Sequence, residues 1–378
     1  MTEYRKARTD EQEAYLDLAN YVFNYTYGEH DFEKQCPKVY SPNVDSSRMH
    51  RVAVDENGKI RGSIALLTDE AKVCGVTLKT GYIGTVCVHP KSRGEGHMKR
   101  IMADWQKEME DEGYDLAILT GQRQRYAYYG YVMGGTSVKY TINPTNIRHA
   151  LRDVDVSGLS FAPLFETHGW REHALALNNS RPFHVNRENR PLEDVLVTFC
   201  HSALAVMKGT KRIGYLVVRT KTGDISEIGL DTPEILPAVI KAYIAFSQKE
   251  EIEITVPEYD IFANDCLSSF AEKESFTSSG NYNIINYANV LRAYLTLKNE
   301  KIPISHGEFQ AVLNGQSVTA TVSENGVTVT EEAGDGAIRL DKADADKLLL
   351  TRHGQSIEVS VPKDWFPLPI FWFMPDTF

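Results

Sequence analysis

Long apolar runs, paired cysteines and excess positive charge are all missing from this sequence. Nowhere in its 378 residues do apolar side chains continue for the eighteen or so positions that a membrane-spanning helix needs. Residues 1–15 contain no apolar core and turn acidic at once, which argues against a secretory signal. The cysteines Cys36, Cys74, Cys87, Cys200 and Cys266 are scattered, odd in number and never spaced as CxxC. That pattern excludes a disulfide framework or a structural zinc site and fits a reducing, cytoplasmic setting. Lysine and arginine (41) are outnumbered by aspartate and glutamate (51), a formal charge of −10. Nucleic acid needs a basic face and is disfavoured as a general partner, while cationic ligands are attracted.

The composition, 42% hydrophobic and 24% charged, is that of an ordinary globular protein. At about 150 residues per domain, the length predicts two or three domains. Thr9-x-x-Gln12 reads as a capping box before a helix carrying Leu16, Ala19, Val22 and Phe23. Strands over 51–54 and 60–67 flank Asn57-Gly58, a strong hairpin signal. Another strand is expected over 80–88, ending at His89-Pro90. A short glycine-containing loop then leads to a helix with Met98, Ile101, Met102, Trp105 and Met109 on one stripe, closed by Gly113. An apolar strand, 116–120, follows. The order hairpin, strand, loop, helix, strand then returns as 203–207 with 213–219, 224–230, 235–246 and 251–256, which suggests two copies of one domain. The copies differ at the strand-to-helix junction. Residues 88–98 of the first are long and glycine-bearing, whereas the second has only Leu230-Asp-Thr-Pro-Glu-Ile235. A third region begins near Asn286, with a helix over 289–297, short strands turning at Asn314-Gly315 and Asn325-Gly326, and a helix over 341–350. The chain closes on a nearly unbroken apolar run, Trp365 to Met374, and ends at Phe378.

The first junction, Arg93-Gly94-Glu95-Gly96-His97-Met98, lies between a strand and a helix start. Open backbone N–H groups and the positive end of the helix dipole bind phosphate there. Glycines let a diphosphate approach the main chain, and Arg93 supplies a permanent forked charge. A Rossmann fingerprint would need glycine at Lys99, and a P-loop would need Gly-Lys-Ser/Thr, which is absent. What remains, Arg-x-x-Gly-x-x preceded by Val-x-Pro, resembles the acyl-CoA loop of the GNAT acetyltransferases. Arg93 and Gly96 match the family pattern, and Met98 stands where its last small residue would be. A bulky apolar residue at that place is similar to the Eis (enhanced intracellular survival) type.

That resemblance implies an α+β fold. Its parts are two tandem GNAT-like domains (1–150, catalytic; 151–285, without the acetyl-CoA loop) of mixed, mostly antiparallel sheet, and a sterol-carrier-protein-like domain at 286–378. It implies an N-acetyltransferase moving an acetyl group from acetyl-CoA to a primary amine in a ternary complex, with no metal. Val86, Cys87 and Val88 would run beside the pantetheine, Arg93, Gly94, Glu95, Gly96, His97, Met98 and Lys99 would hold the diphosphate, and Gly121 and Gln122 would border the cofactor. In Arg125-Tyr-Ala-Tyr-Tyr-Gly-Tyr131 the register of the family motif makes Tyr126 the proton donor. A phenol of pKa about 10 is protonated at neutral pH and able to donate. The carboxylate of Phe378 would be the proton acceptor, delivered by the apolar tail. His89 and His97 flank the loop as alternative bases, with structural or cofactor-edge roles favoured. Cys87 is the rival nucleophile of a ping-pong route, but a strand-buried thiol without an adjacent His or Lys is usually inert.

Residues 28–34 follow the first helix, where the family builds one acceptor wall. Glu29, Asp31 and Glu33 could attract an aminoglycoside, polyamine or lysine side chain, with Tyr25 and Phe32 packing on its apolar parts. The resemblance also implies a homo-oligomer, often a hexamer, with no nucleic-acid or membrane partner. A competing reading is a non-catalytic acetyl-CoA sensor or lipid carrier that uses the C-terminal domain, although the tail would itself fill an apolar tunnel.

Overall fold

The structure, a computed structural model, describes residues 2–378. Its first sheet has eight strands. Glu3–Lys6, His50–Val54, Ile60–Val73 and Val76–Val88 run antiparallel, and Val76–Val88 then pairs in parallel with Leu116–Leu119. Helix Gln12–Tyr27 packs on one face. Helix His97–Asp111 lies on the other, burying Ile101, Met102, Trp105 and Met109. The Trp105 indole donates to the Ile64 carbonyl at 3.0 Å, so the helix stripe predicted from spacing faces the sheet as expected.

The helix entry at residue 9 differs from the capping box expected there. The Glu11 carboxylate accepts from the Arg8 N–H at 2.8 Å and is clamped by Arg5. Thr9 instead faces Asp45, and the Gln12 amide bonds the 44–46 segment. A two-pronged guanidinium on Glu11 outcompetes a threonine hydroxyl for that turn.

The second sheet has seven strands in the order Lys273–Thr277, Ser137–Ile142, Ile252–Pro257, Ile225–Leu230, Lys211–Arg219, His201–Lys208 and Leu159–Pro163. Its hairpin, strand, helix Leu236–Ser247 and strand repeat the order of the first unit, down to a single parallel pairing. Two strands lie across the divisions expected at 150 and 285. Ser137–Ile142 belongs to the second sheet, while Gly280–Ile284 returns to the first, between Leu116–Leu119 and Val132–Gly134. The link from Thr277 to Gly280 thus stitches the two sheets together.

A four-stranded sheet (Gly307–Leu313, Gln316–Ser323, Gly326–Thr330, Ile338–Leu340) and helices Tyr287–Lys301 and Lys342–Leu350 complete the chain. Helix Tyr287–Lys301 buries Leu291, Tyr294 and Leu295 in the same core as Leu67 and Tyr82 of the first sheet. The tail joins that core too: Trp365, Leu368, Ile370 and Phe371 are all buried. Its end is held by charge. Arg187 forks onto both Asp376 (2.8 Å to each oxygen) and Glu227 of the second sheet (2.9 and 2.7 Å). All three side chains are buried, and Lys38 donates to the Pro375 and Thr377 carbonyls.

Candidate active site

Strand Val76–Val88 pairs with Leu116–Leu119 only from Thr80 to Ile83, so residues 84–88 continue with no partner on that side. A bulge makes the departure sharper: Ala65 pairs with Gly84 and Ser63 with Cys87. Thr85 takes φ +48°, an uncommon conformation for a β-branched residue. Its hydroxyl is held from behind at 2.6 Å by Tyr40, which bonds His50, which in turn bonds Ser63. This buried polar relay fixes the bulge from inside the core.

The opening beside the bulge is a cavity of about 680 Å³. Val86 and Val88 line it, whereas Cys87 between them faces the interior. The Cys87 thiol points at the Ser63 carbonyl, 3.6 Å away, and burial pushes its pKa up to about 12. It is a packed thiol, protonated at neutral pH and turned away from the cavity.

Helix His97–Asp111 begins at the cavity. Gly94 and Gly96 sit at φ +89° and +84°, where other side chains would be strained. No side chain caps the helix, so the first-turn N–H groups of His97, Met98 and Lys99 remain available to an anion. Arg93, Lys99 and Arg125 add three cations to the wall. The His97 ring is spoken for: Nδ1 meets the Tyr4 hydroxyl at 2.8 Å and Nε2 the Glu95 carboxylate at 3.1 Å. His89 stacks on Tyr21 and accepts from the Lys91 N–H, outside the cavity wall. Both imidazoles thus have structural partners.

Tyr126 closes the turn Arg123–Tyr126 and reaches the cavity with 6% exposure. Its ring lies flush against Gly121, where an added Cβ would come within 2.5 Å of it. Burial raises the phenol's pKa against a smaller opposing pull from Arg125, so it stays protonated at neutral pH. The turn is propped by the returning strand: the Asn281 amide bonds the Gly121 carbonyl and the Asn283 amide bonds that of Tyr129. Gly121 and Gln122 themselves are exposed and flank the wall without forming part of it, as does Glu95.

Phe378 lines the same cavity from the opposite end of the chain. Its ring rests on the bare Cα of Gly84, where a Cβ would stand 2.6 Å away. The Tyr82 hydroxyl meets its backbone and the Thr120 side chain.

The acidic wall expected from residues 28–34 is not there. Glu29, Asp31 and Glu33 lie off the cavity. Asp31 caps the turn Phe32–Gln35 and pairs with Lys34, while Glu33 edges a separate surface hollow. Helix capping and solvation claim these carboxylates first. Tyr25 is 67% exposed, with the Arg93 guanidinium 5.9 Å from its ring centroid. Only Phe32 of that set faces inward. Its company, unforeseen from sequence, is Phe23, Tyr27, His30, Cys36 and Phe199. The end of helix Gln12–Tyr27 carried a signal for the first two, since Val22, Phe23, Thr26 and Tyr27 form one face. For Phe199, brought over from the second unit, there was none.

The profile of the acetyltransferase (GNAT) domain family matches residues 3–133. No curated protein matches the chain. Among solved structures, a conserved protein of unknown function from Enterococcus faecalis V583 superposes with a TM-score of 0.66 at 19% identity, covering 91% of this chain and 88% of that one. A GCN5-related N-acetyltransferase from Anabaena variabilis gives 0.64 at 17% identity, covering 92% and 89%. Eis1 from Mycobacterium abscessus gives 0.62 at 14% identity, again covering 92% and 89%. At these identities the likeness is one of fold. The protein is an acyltransferase enzyme, and residues 3–133 match the acetyltransferase (GNAT) domain family.

Proposed function

We propose that the protein is an acetyl-CoA-dependent N-acetyltransferase of the Eis type that acts on a primary amine by direct transfer. One observation carries the reading. The open helix start, Tyr126 and Phe378 come from three remote stretches of chain and line one cavity. The N–H groups of residues 94–99, with Arg93, receive the CoA diphosphate. The unpaired strand edge at Val86 and Val88 runs along the pantetheine. The deprotonated amine attacks the thioester carbonyl, forming a C–N bond as the C–S bond breaks. Tyr126 protonates the departing thiolate, and the proton released by the amine passes to the terminal carboxylate of Phe378, directly or through water. Tyr126 recovers its proton from solvent, and one proton is released per turnover of an ammonium substrate.

In this reading residues 1–150 are the catalytic GNAT unit and 151–285 a second GNAT-like unit whose short junction binds no CoA. Residues 286–378 are a sterol-carrier-protein-like unit whose tail delivers the terminus. The assembly is a cytoplasmic homo-oligomer, a hexamer in the Eis arrangement. The test is release of free thiol from acetyl-CoA with a panel of primary amines. Turnover is expected, and it should fall about 10²- to 10⁴-fold in Tyr126→Phe. Equal turnover in that variant would remove Tyr126 from the mechanism, and silence with every amine would reject acetyl transfer.

A further inference from the structure

The amine side of the cavity is built from rings. Phe23 meets Phe32 edge-on at 4.9 Å and Tyr27 at 5.7 Å, and His30 lies 4.4 Å from Phe32 and 5.0 Å from Phe23. No aspartate or glutamate side chain lines the cavity among the described residues. Its charged side chains, Arg93, Lys99 and Arg125, are all cationic. In a protein of net charge −10, an acid-free cavity is selective rather than average.

His30 adds a directional element. Asn24 fixes its backbone, donating to the His30 carbonyl at 3.0 Å and accepting from its N–H at 2.8 Å. Within the half-buried ring, Nε2 is buried and has no hydrogen-bond partner among the described residues. Such a nitrogen is costly to leave unpaired, and since no solvent reaches it here, the His30 ring must turn for a bound group to pair with it. Burial also lowers the imidazole's pKa, which keeps the ring neutral in neutral solution.

We propose that the acceptor is a monoamine with an aromatic body, its ring packed among Phe23, Tyr27 and Phe32 and a ring hydroxyl or N–H bonded to His30 Nε2. The inference rests on the acetyl-transfer reading above and names the acceptor class for it. A single ammonium is matched by the one carboxylate which that reading places here, at Phe378, and by the faces of the rings. A polyamine or aminoglycoside would bring several desolvated charges to a wall with no acid to pair them. His30 acts as a specificity residue. It selects the acceptor without entering the proton transfer.

The experiment measures thiol release by the full-length protein with tyramine, phenethylamine, spermidine and kanamycin. We expect kcat/KM for tyramine to exceed that for either polycation by at least about tenfold. We expect it to exceed that for phenethylamine by about 3- to 10-fold, the worth of one hydrogen bond. That second ratio should fall to about one in His30→Phe, through KM rather than kcat, and recover in part in His30→Gln. Preference for spermidine or kanamycin would overturn the inference and leave acetyl transfer standing. An unchanged tyramine-to-phenethylamine ratio in His30→Phe would remove His30 from recognition. Silence with all four amines would overturn acetyl transfer and this inference together.

Discussion

Two glycines make room for the rings of the two proposed catalytic residues. Gly84 has no side chain because the Phe378 ring occupies that space, and Gly121 has none because Tyr126 does. Gly84→Ala should therefore push the terminal residue out of the cavity. The expected outcome is a fall in kcat of at least about tenfold with little change in melting temperature, since the displaced ring is at the chain end. Steady-state kinetics beside a thermal melt would check it, and unchanged kcat would separate Phe378 from catalysis. The sequence held a hint, since an isolated glycine within a strand pattern signals a bulge or a close approach. It could not say what approaches, because the partner lies almost at the other end of the chain. The motif register singled out Tyr126, and the structure brings it to the cavity wall. His30 was not legible, because its significance is the absence of a partner, which only three-dimensional packing reveals.

At the scale of elements, strands and helices of the first unit lie where periodicity put them, and the phosphate-type junction falls between strand Val76–Val88 and helix His97–Asp111 as read. Periodicity reports which face is buried. It is blind to which carboxylates a local turn will consume, which is why Glu29, Asp31 and Glu33 looked like an acceptor wall. The bulge offers a prediction in pH. His50 is stacked on Tyr15 at 4.0 Å and bonded at both nitrogens, and burial pushes its pKa down to about 3 from an ordinary 6.5. Between these values the unfolded chain binds a proton that the folded one refuses, so stability falls as pH drops from 6.5 toward 3. The contribution is about 1.4 kcal/mol per pH unit, roughly 3 kcal/mol by pH 4. In urea titrations from pH 7 to pH 4, His50→Gln should lose less stability than the unaltered protein by about that amount. Parallel curves would show that His50 is charged in the fold.

For the whole molecule, the ion pairs at the tail and the returning strand matter most. Arg187 ties Asp376 to Glu227 with all three side chains buried, so Arg187→Ala strips Asp376 of its guanidinium and leaves Glu227 with Arg181 alone, 3.1 Å away. A loss of about 3–5 kcal/mol in unfolding free energy is expected, with activity reduced in the fraction still folded. A loss below about 1 kcal/mol would mean that the tail is held by its rings alone. Light scattering should give a mass that is a multiple of 42.6 kDa, and a monomer mass would reject the proposed assembly. The element order that the first two sheets share was readable in the sequence. The exchange of strands between them was not, because a strand's own pattern does not name the sheet it joins.

That exchange bears on how the protein is made. Residues 3–133 carry the family signature, yet their sheet has a gap between Leu116–Leu119 and Val132–Gly134 until Gly280–Ile284 arrives. During synthesis, this first sheet must wait, edges bare, while about 150 further residues leave the ribosome at about 5–20 per second. A fragment ending at residue 150 should therefore aggregate or melt without a cooperative transition, and a soluble fragment with a sharp melt would refute this. The enzyme cannot be assembled one module after another; its earliest part is finished nearly last.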